Sequence, residues 1–230
     1  MRFITALRIY PYCVPTTGKI VKKATSNFIL SLNAFALFGC SLLVAVAFSL
    51  QILLAELPCA LCNLQRLEFL LFGSGILTVL LHPKIYRMGY LLSGVSAIIG
   101  ACTAITQVFI HILPTDEGGV GSPIFGFHLY AWCFVIFMAA AIYVLVLMSL
   151  HTESTDRIMP KNGLQSFKTQ KPIVKFIITF YVLISIVATS SAFVANGFGP
   201  FLEGGQQKYW LLEVIKNPGT TVTQNMLMQK

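Results

Sequence analysis

Residues 28–50 read FILSLNAFALFGCSLLVAVAFSL, without one charged side chain. A helix that crosses a bilayer needs about 20 predominantly apolar residues, so this stretch predicts a membrane helix. Four further apolar runs have a similar length, at 64–82, 88–110, 129–150 and 173–195. Because no water is present in hydrocarbon to satisfy backbone groups, each run must be helical. The sequence therefore predicts an all-α membrane protein with five transmembrane helices.

Composition agrees with lipid as the solvent. Of the 230 residues, 56% are hydrophobic and only 10% are charged, whereas the formal net charge is +8. A soluble domain averages about 25% charged residues. The basic residues lie between the apolar runs, without a basic stripe interleaved with aromatic residues. We therefore expect membrane lipid as a partner and no nucleic acid.

The loop charges predict the orientation. Five basic residues and no acidic ones precede the first run, two lie in 82–87 and five lie in 151–175. The stretches 51–63 and 111–128 contain no Lys or Arg. By the positive-inside rule, the N-terminus is cytoplasmic, and both stretches without Lys or Arg lie outside, as does the C-terminus. The first run is too long for a signal-peptide core, so we expect a retained anchor helix.

The second run is preceded by a motif that carries chemistry. Residues 57–66 read LPCALCNLQR and place Cys59 and Cys62 at the outer start of a helix. The dipole and free N–H groups of a helix start stabilise thiolate, and such a pair persists as a disulfide outside the cytoplasm. The alternative is two ordinary buried thiols. We favour thiol–disulfide exchange, with both cysteines catalytic.

Arg66 follows Cys62 by four residues, so it lies on the same helical face one turn deeper. An arginine near the outer interface is costly unless it is partnered. Its guanidinium could stabilise a thiolate or an electron-rich quinone oxygen. Alternatively, Arg66 reaches lipid phosphate or pairs with Glu56 or Glu68.

The block Pro-Cys-x-x-Cys-x-x-x-Arg after a first transmembrane helix resembles the disulfide bond formation protein B (DsbB-like) family, over roughly residues 28–150. Members of that family are four-helix bacterial inner-membrane proteins. They pass electrons from a periplasmic thioredoxin-fold (DsbA-like) protein to ubiquinone or menaquinone. The resemblance implies that Cys59 and Cys62 are the quinone-proximal pair and Arg66 the quinone-associated arginine. Gln107 resembles a polar position of the family more weakly.

The resemblance predicts a domain organisation. The expected parts are a basic cytoplasmic segment at 1–27, a DsbB-like four-helix membrane domain at 28–150 and a cytoplasmic linker at 151–172. A fifth transmembrane helix follows at 173–195, and a periplasmic tail at 196–230.

Two features depart from the family. Its second cysteine pair normally lies in the outer loop between helices three and four, but here 111–128 contains no cysteine. Cys102 and Cys133 lie within helices three and four, where packing is the default role. The fifth helix and the tail are also additional, which suggests an interface with a larger membrane complex.

Other polar residues have simpler roles. His111 and His128 end the outer loop; we weigh a metal site against quinone contact, and favour a cofactor-binding role for His111 without a metal. Asn33 and Gln51 are expected to form hydrogen bonds between helices. Small residues on helix three, at Ser93, Ala97 and Ala101, predict a close approach to a neighbouring helix.

The favoured function is a quinone-dependent thiol–disulfide oxidoreductase that passes electrons from a periplasmic dithiol protein through the CxxC pair. One alternative is a non-catalytic, DsbB-derived structural or assembly subunit of a membrane complex. Another is a quinone reductase similar to vitamin K epoxide reductase.

Overall fold

The structure is a computed structural model that describes residues 16–53, 58–112, 126–150, 167–168, 170–196 and 215. Within these ranges lie five long helices: α1 (Thr16–Leu53), α2 (Ala60–Leu81), α3 (Tyr86–Ile112), α4 (Leu129–Leu150) and α5 (Pro172–Asn196). A short 3₁₀ helix, Pro83–Ile85, joins α2 to α3. All five helices are long and apolar enough to cross a membrane, which confirms the predicted all-α membrane fold. The expectations for the N-terminal segment before residue 16, the linker 151–166 and most of the tail lie outside the described residues.

Helices α1 and α2 begin four or more residues before their apolar runs. Helix α1 starts at Thr16, twelve residues before the predicted start, and includes Lys19, Lys22 and Lys23. A hydropathy pattern detects only the part of a helix that lies in hydrocarbon, so the basic first turns are invisible to it. Helix α2 starts at Ala60, so Cys62 lies in its first turn. We call the end of the bundle where α2 begins the CxxC end.

Helices α2 and α3 approach each other closely through small residues. A Cβ atom on Gly75 would collide with the carbonyl oxygen of Gly89 and with Ser93. Ser93 is fully buried and donates its hydroxyl to the carbonyl oxygen of Phe72 at 2.8 Å. Ala97 and Ala101 are buried as well. The predicted close approach of helix three is thus observed, and it fixes the height of α3 against α2.

Helix α5 packs into the bundle against α1 and α2. The Tyr181 hydroxyl donates to the carbonyl oxygen of Leu70 at 2.5 Å and lies 2.9 Å from the Ser74 hydroxyl. Gly73 makes room for the tyrosine ring, because a Cβ atom there would overlap it. Buried Val174 and Ile178 extend the same contact face. The fifth helix is therefore part of the core of the bundle.

Buried polar side chains connect the helices, as the sequence predicts for Asn33 and Gln51. Asn33 of α1 is 1% exposed and donates to the Tyr90 hydroxyl of α3 at 2.9 Å. Gln51 of α1 contacts both α2 and α5, through Arg66 and Ser191. Hydrogen bonds of this kind hold membrane helices in register, because lipid offers polar groups no alternative partner.

Candidate functional site

The cysteine pair forms the start of α2. Cys59 is the N-cap residue, with extended backbone angles, and its sulfur accepts the backbone N–H of Cys62 at 3.1 Å. The two cysteines form a disulfide, with their Cα atoms 5.1 Å apart, and both side chains are half-buried. A sulfur in the N-cap position takes the place of the usual side-chain oxygen, so negative charge on it is stabilised by the helix start.

The side-chain amide of Gln107 lies against the disulfide and is hydrogen-bonded to a second glutamine, Gln65. Gln107 of α3 is 1% exposed, and its Nε2 atom lies 3.5 Å from the sulfur of Cys59 and 3.5 Å from that of Cys62. Gln65 of α2, which is also buried, donates its Nε2–H to the Oε1 atom of Gln107 at 2.9 Å. In this arrangement the N–H end of the Gln107 amide faces the sulfurs. The disulfide therefore faces an N–H donor.

Arg66 lies toward α1 rather than toward α3. Its Nη1 atom donates to Oε1 of Gln51 at 2.6 Å, and its Nη2 atom donates to the carbonyl oxygen of Ala47 at 3.0 Å. Gln51 in turn donates to the Ser191 hydroxyl of α5 at 3.4 Å. The guanidinium is thus held by α1, and indirectly by α5, one turn below the cysteine pair.

A cavity of about 540 Å³ opens between α2 and α5 at the CxxC end. Helix α2 contributes Ala60 and Leu61, the two residues between the cysteines, together with Asn63 and Arg66. Helix α5 contributes small and apolar residues: Ala188, Thr189, Ala192 and Phe193. Pockets for small molecules typically measure about 300–1,000 Å³ and combine apolar walls with a few polar groups.

Asn63 is the unexpected residue of this cavity. Its side chain is 9% exposed, and neither its Oδ1 nor its Nδ2 atom has a hydrogen-bond partner among the described residues. A buried polar group without a partner costs free energy, so its presence calls for an explanation. An amide at this position can both donate to and accept from a bound molecule.

The two histidines predicted at the outer loop lie in one stack of rings. The ring of Tyr130 stacks on His111 at 5.1 Å and on His128 at 5.3 Å between ring centroids. The Nδ1 atom of His111 also lies 2.8 Å from the carbonyl oxygen of Gln107. His111 is not among the residues that line the α2–α5 cavity. Its cofactor-binding role stays a prediction, and its observed contacts support the helix turn that carries Gln107.

The other described cysteines are separate from the pair. Cys40 is buried and donates its thiol to the carbonyl oxygen of Phe69 at 2.8 Å, whereas Cys102 is exposed and Cys133 half-buried. All three are free thiols in the structure. Cys133 packs against the core, as expected, whereas the exposure of Cys102 does not agree with the packing role expected for it.

The predicted site residues therefore lie on two different sides of the start of α2. Gln107 lies at the sulfurs on the α3 side, and Arg66 lies at the cavity on the α1 and α5 side. Sequence reasoning missed Gln65 and Asn63. The signal was present, because both are amides within an apolar helix and within three residues of Cys62.

Comparison with known proteins finds a family that matches the part of the chain containing the cysteine pair. The model of the family "Disulfide bond formation protein DsbB" matches residues 30–123. The "Disulfide bond formation protein B" of Stutzerimonas stutzeri (strain A1501) is 32% identical over 90 residues, which make up 38% of this chain and 55% of that protein. The chain thus spans about half the length of this curated relative. No solved structure matches the chain.

These matches confirm the predicted resemblance over residues 30–123, which include α1 from residue 30 onward and all of α2 and α3. The match is shorter than the predicted 28–150, since it ends before α4. Helix α5 and its wall of the cavity lie outside it.

Proposed function

We propose that this protein is a quinone-linked thiol–disulfide oxidoreductase of the bacterial inner membrane, with Cys59 and Cys62 as the redox pair. The observation that carries the proposal is the disulfide at the start of α2, with the buried Gln107 amide at its sulfurs and Arg66 one turn deeper on the same helix. The family match and the relative's name support the same chemistry. The proposed electron donor is the dithiol of a periplasmic thioredoxin-fold, DsbA-like protein.

The exchange with the donor follows from the sulfur contacts. A donor thiolate attacks one sulfur of the pair, the S–S bond breaks and the other sulfur leaves as a thiolate. The second donor thiol then attacks the mixed disulfide, which leaves the donor oxidised and Cys59 and Cys62 reduced, with two electrons and two protons transferred. A good leaving thiolate speeds this exchange. The backbone N–H of Cys62 and the Gln107 amide are the groups that stabilise it.

A quinone fits the residues beside the pair. Arg66 and Asn63 supply donors for carbonyl oxygens, and the remaining wall of the adjoining cavity is apolar. Bound there, ubiquinone or menaquinone would supply a two-electron, two-proton acceptor that becomes the quinol while the disulfide re-forms. The protein's part is to hold the guanidinium in place through Gln51 and the Ala47 carbonyl, and to exclude water with the helices around it.

The proposal is tested by the redox state of the pair in growing cells. We would replace Cys13, Cys40, Cys102 and Cys133 by Ser, so that only the pair reacts with a maleimide after acid trapping. The pair should be oxidised during aerobic growth and become reduced when quinone synthesis is blocked. Cys59→Ser and Cys62→Ser serve as labelling controls. A pair that stays reduced in air, or that ignores quinone depletion, would refute the proposal.

A second candidate function is a non-catalytic assembly subunit of a larger membrane complex. It is favoured by the segment 111–128, which contains none of the cysteines that the family's relay uses. Under this alternative, the trapped pair would be insensitive to quinone depletion, and the protein would co-purify with other membrane subunits in fixed proportion.

A further inference from the structure

We propose that the fifth helix is one wall of a binding site for the isoprenoid quinone, with Asn63 as the polar anchor of its head group. The inference rests on the proposed function for the identity of the ligand, and it adds a helix that lies outside the DsbB-like match. The site is the cavity of about 540 Å³ between α2 and α5.

The cavity results from a change of side-chain size along one face of α5. Tyr181 fills the space against Gly73 and Leu70. Ala188 follows seven residues later and Ala192 eleven residues later, so they lie on the same face, about two and three turns nearer the CxxC end. At their level the side chain of α5 shrinks to a methyl group, and α2 and α5 leave a gap.

The gap has a polar end that two donors define. Asn63 is buried, yet its amide lacks a hydrogen-bond partner among the described residues. Arg66 lines the same wall one turn further along α2. A ligand that accepts hydrogen bonds from both would satisfy the Nδ2–H donor of Asn63, which the apolar side chains around it cannot do.

The rest of the cavity selects an apolar body. Leu61, Leu64, Leu67 and Leu70 form the α2 wall, opposite Ala192 and Phe193 of α5. A molecule that combines a carbonyl-bearing head with a hydrocarbon tail matches this pattern. Among such molecules the quinone is favoured, because Ala60 and Leu61, the two residues between the cysteines, line the cavity.

The first test labels the site directly. Full-length protein in lipid nanodiscs is irradiated with a short-chain azidoquinone, and the labelled peptide is identified by mass spectrometry. The label should fall on residues 188–193 of α5 and be displaced by unlabelled ubiquinone. Labelling that is confined to α1, α3 or α4, or that does not saturate, would overturn the inference, and the latter would indicate ordinary lipid in the cavity.

The second test either fills the cavity or removes its polar side chain. Ala192→Phe occupies it, whereas Ser190→Phe adds an aromatic ring to an exposed position two residues away and is the matched control. Ala192→Phe should weaken binding of a short-chain ubiquinone at least about tenfold, and Ser190→Phe should leave the Kd unchanged. Asn63→Leu keeps the shape but loses the amide, so it should weaken binding about tenfold while the melting temperature stays or rises. Equal Kd values for Ala192→Phe, Asn63→Leu and wild type would refute the site.

Failure of this inference can be told apart from failure of the proposed function. If quinone oxidises the pair but α5 is neither labelled nor sensitive to Ala192→Phe, the redox function stands and the site is wrong. If α5 is labelled while the pair never exchanges electrons with quinone, the site stands and the redox function is wrong. The Cys59→Ser variant should still be labelled on α5, because binding does not need the thiol.

Discussion

Replacing Gln107 by Leu should lower the reduction potential of the Cys59–Cys62 pair. In the structure the Gln107 amide nitrogen lies 3.5 Å from each sulfur and is oriented by Gln65. On reduction the same amide faces thiol or thiolate sulfur, and an N–H donor stabilises a thiolate more than a disulfide. Leu removes the donor and keeps an apolar side chain of similar size in the helix contact. The reduced form alone loses stabilisation, so the disulfide becomes harder to reduce.

The size of the shift follows from the contact. A hydrogen bond to a charged group contributes about 1.5–3 kcal/mol, and a long N···S contact belongs at or below the lower end of that range. For a two-electron couple, about 1.4 kcal/mol corresponds to about 30 mV. The expected potential of Gln107→Leu is therefore about 30 mV below that of wild type. Gln65→Leu should shift it in the same direction by less, since the donor is still present but no longer oriented.

The assay equilibrates purified protein in dithiothreitol buffers of defined potential and counts trapped thiols. Thr106→Val is the control, because Thr106 is exposed beside Gln107 and bonds only its own helix at the Cys102 carbonyl. Since Gln65 acts through Gln107, the double variant should match Gln107→Leu alone. The reasoning fails if Gln107→Leu has the wild-type potential, or if Gln65→Leu lowers the potential further when Gln107 is already Leu.

Three further variants, one control variant and one reporter fusion test other parts of the molecule. Gly75→Ala should destabilise the protein by about 1–3 kcal/mol through overpacking against α3. The control is Gly39→Ala, which should be neutral or stabilising because the added carbon meets no atom of another described helix within 4 Å. Thermal unfolding in detergent measures the stability of both variants. Arg66→Lys keeps the charge but cannot span the Gln51 and Ala47 acceptors in one plane. The KM for quinone should therefore rise about tenfold, and an unchanged KM would exclude Arg66 from the quinone site. Tyr181→Phe removes the hydroxyl that bonds Leu70 and Ser74 and should cost about 1 kcal/mol of stability; no loss would mean that these bonds do not hold α5. Alkaline phosphatase fused after Lys230 should be active, as the predicted external C-terminus requires, and inactivity would reverse the predicted orientation.

Local patterns in the sequence predict the five membrane helices and the part of the site that lies on α2. Hydrophobic runs mark membrane spans because lipid excludes any other arrangement of the backbone. The register of Cys59, Cys62 and Arg66 also follows from the sequence, since all three lie within two turns of one helix. These predictions need no knowledge of how one helix faces another.

Contacts between helices could not be derived in the same way. The approach of Gln107 to the sulfurs depends on the rotation and height of α3 against α2, which Gly75, Gly89 and Ser93 set by close packing. Helix α5 is apolar nearly all round, so its sequence does not distinguish a core face from a lipid face. The sequence predicts it as an addition to a four-helix domain because the resembled family has four helices, whereas in the structure it packs against α1 and α2.

The integration of α5 also determines which experiments can reveal its role. Tyr181 bonds the Leu70 carbonyl and occupies the space that Gly73 leaves, so deletion of the helix would open the core as well as the cavity. Loss of activity after such a deletion would therefore not distinguish a structural helix from a ligand-binding one. Ala192 and Ser190 provide that distinction, because they lie on different faces of the same turn, and only Ala192 borders the cavity. A difference between Phe at these two positions would reflect the cavity itself, since both variants retain the Tyr181 contact.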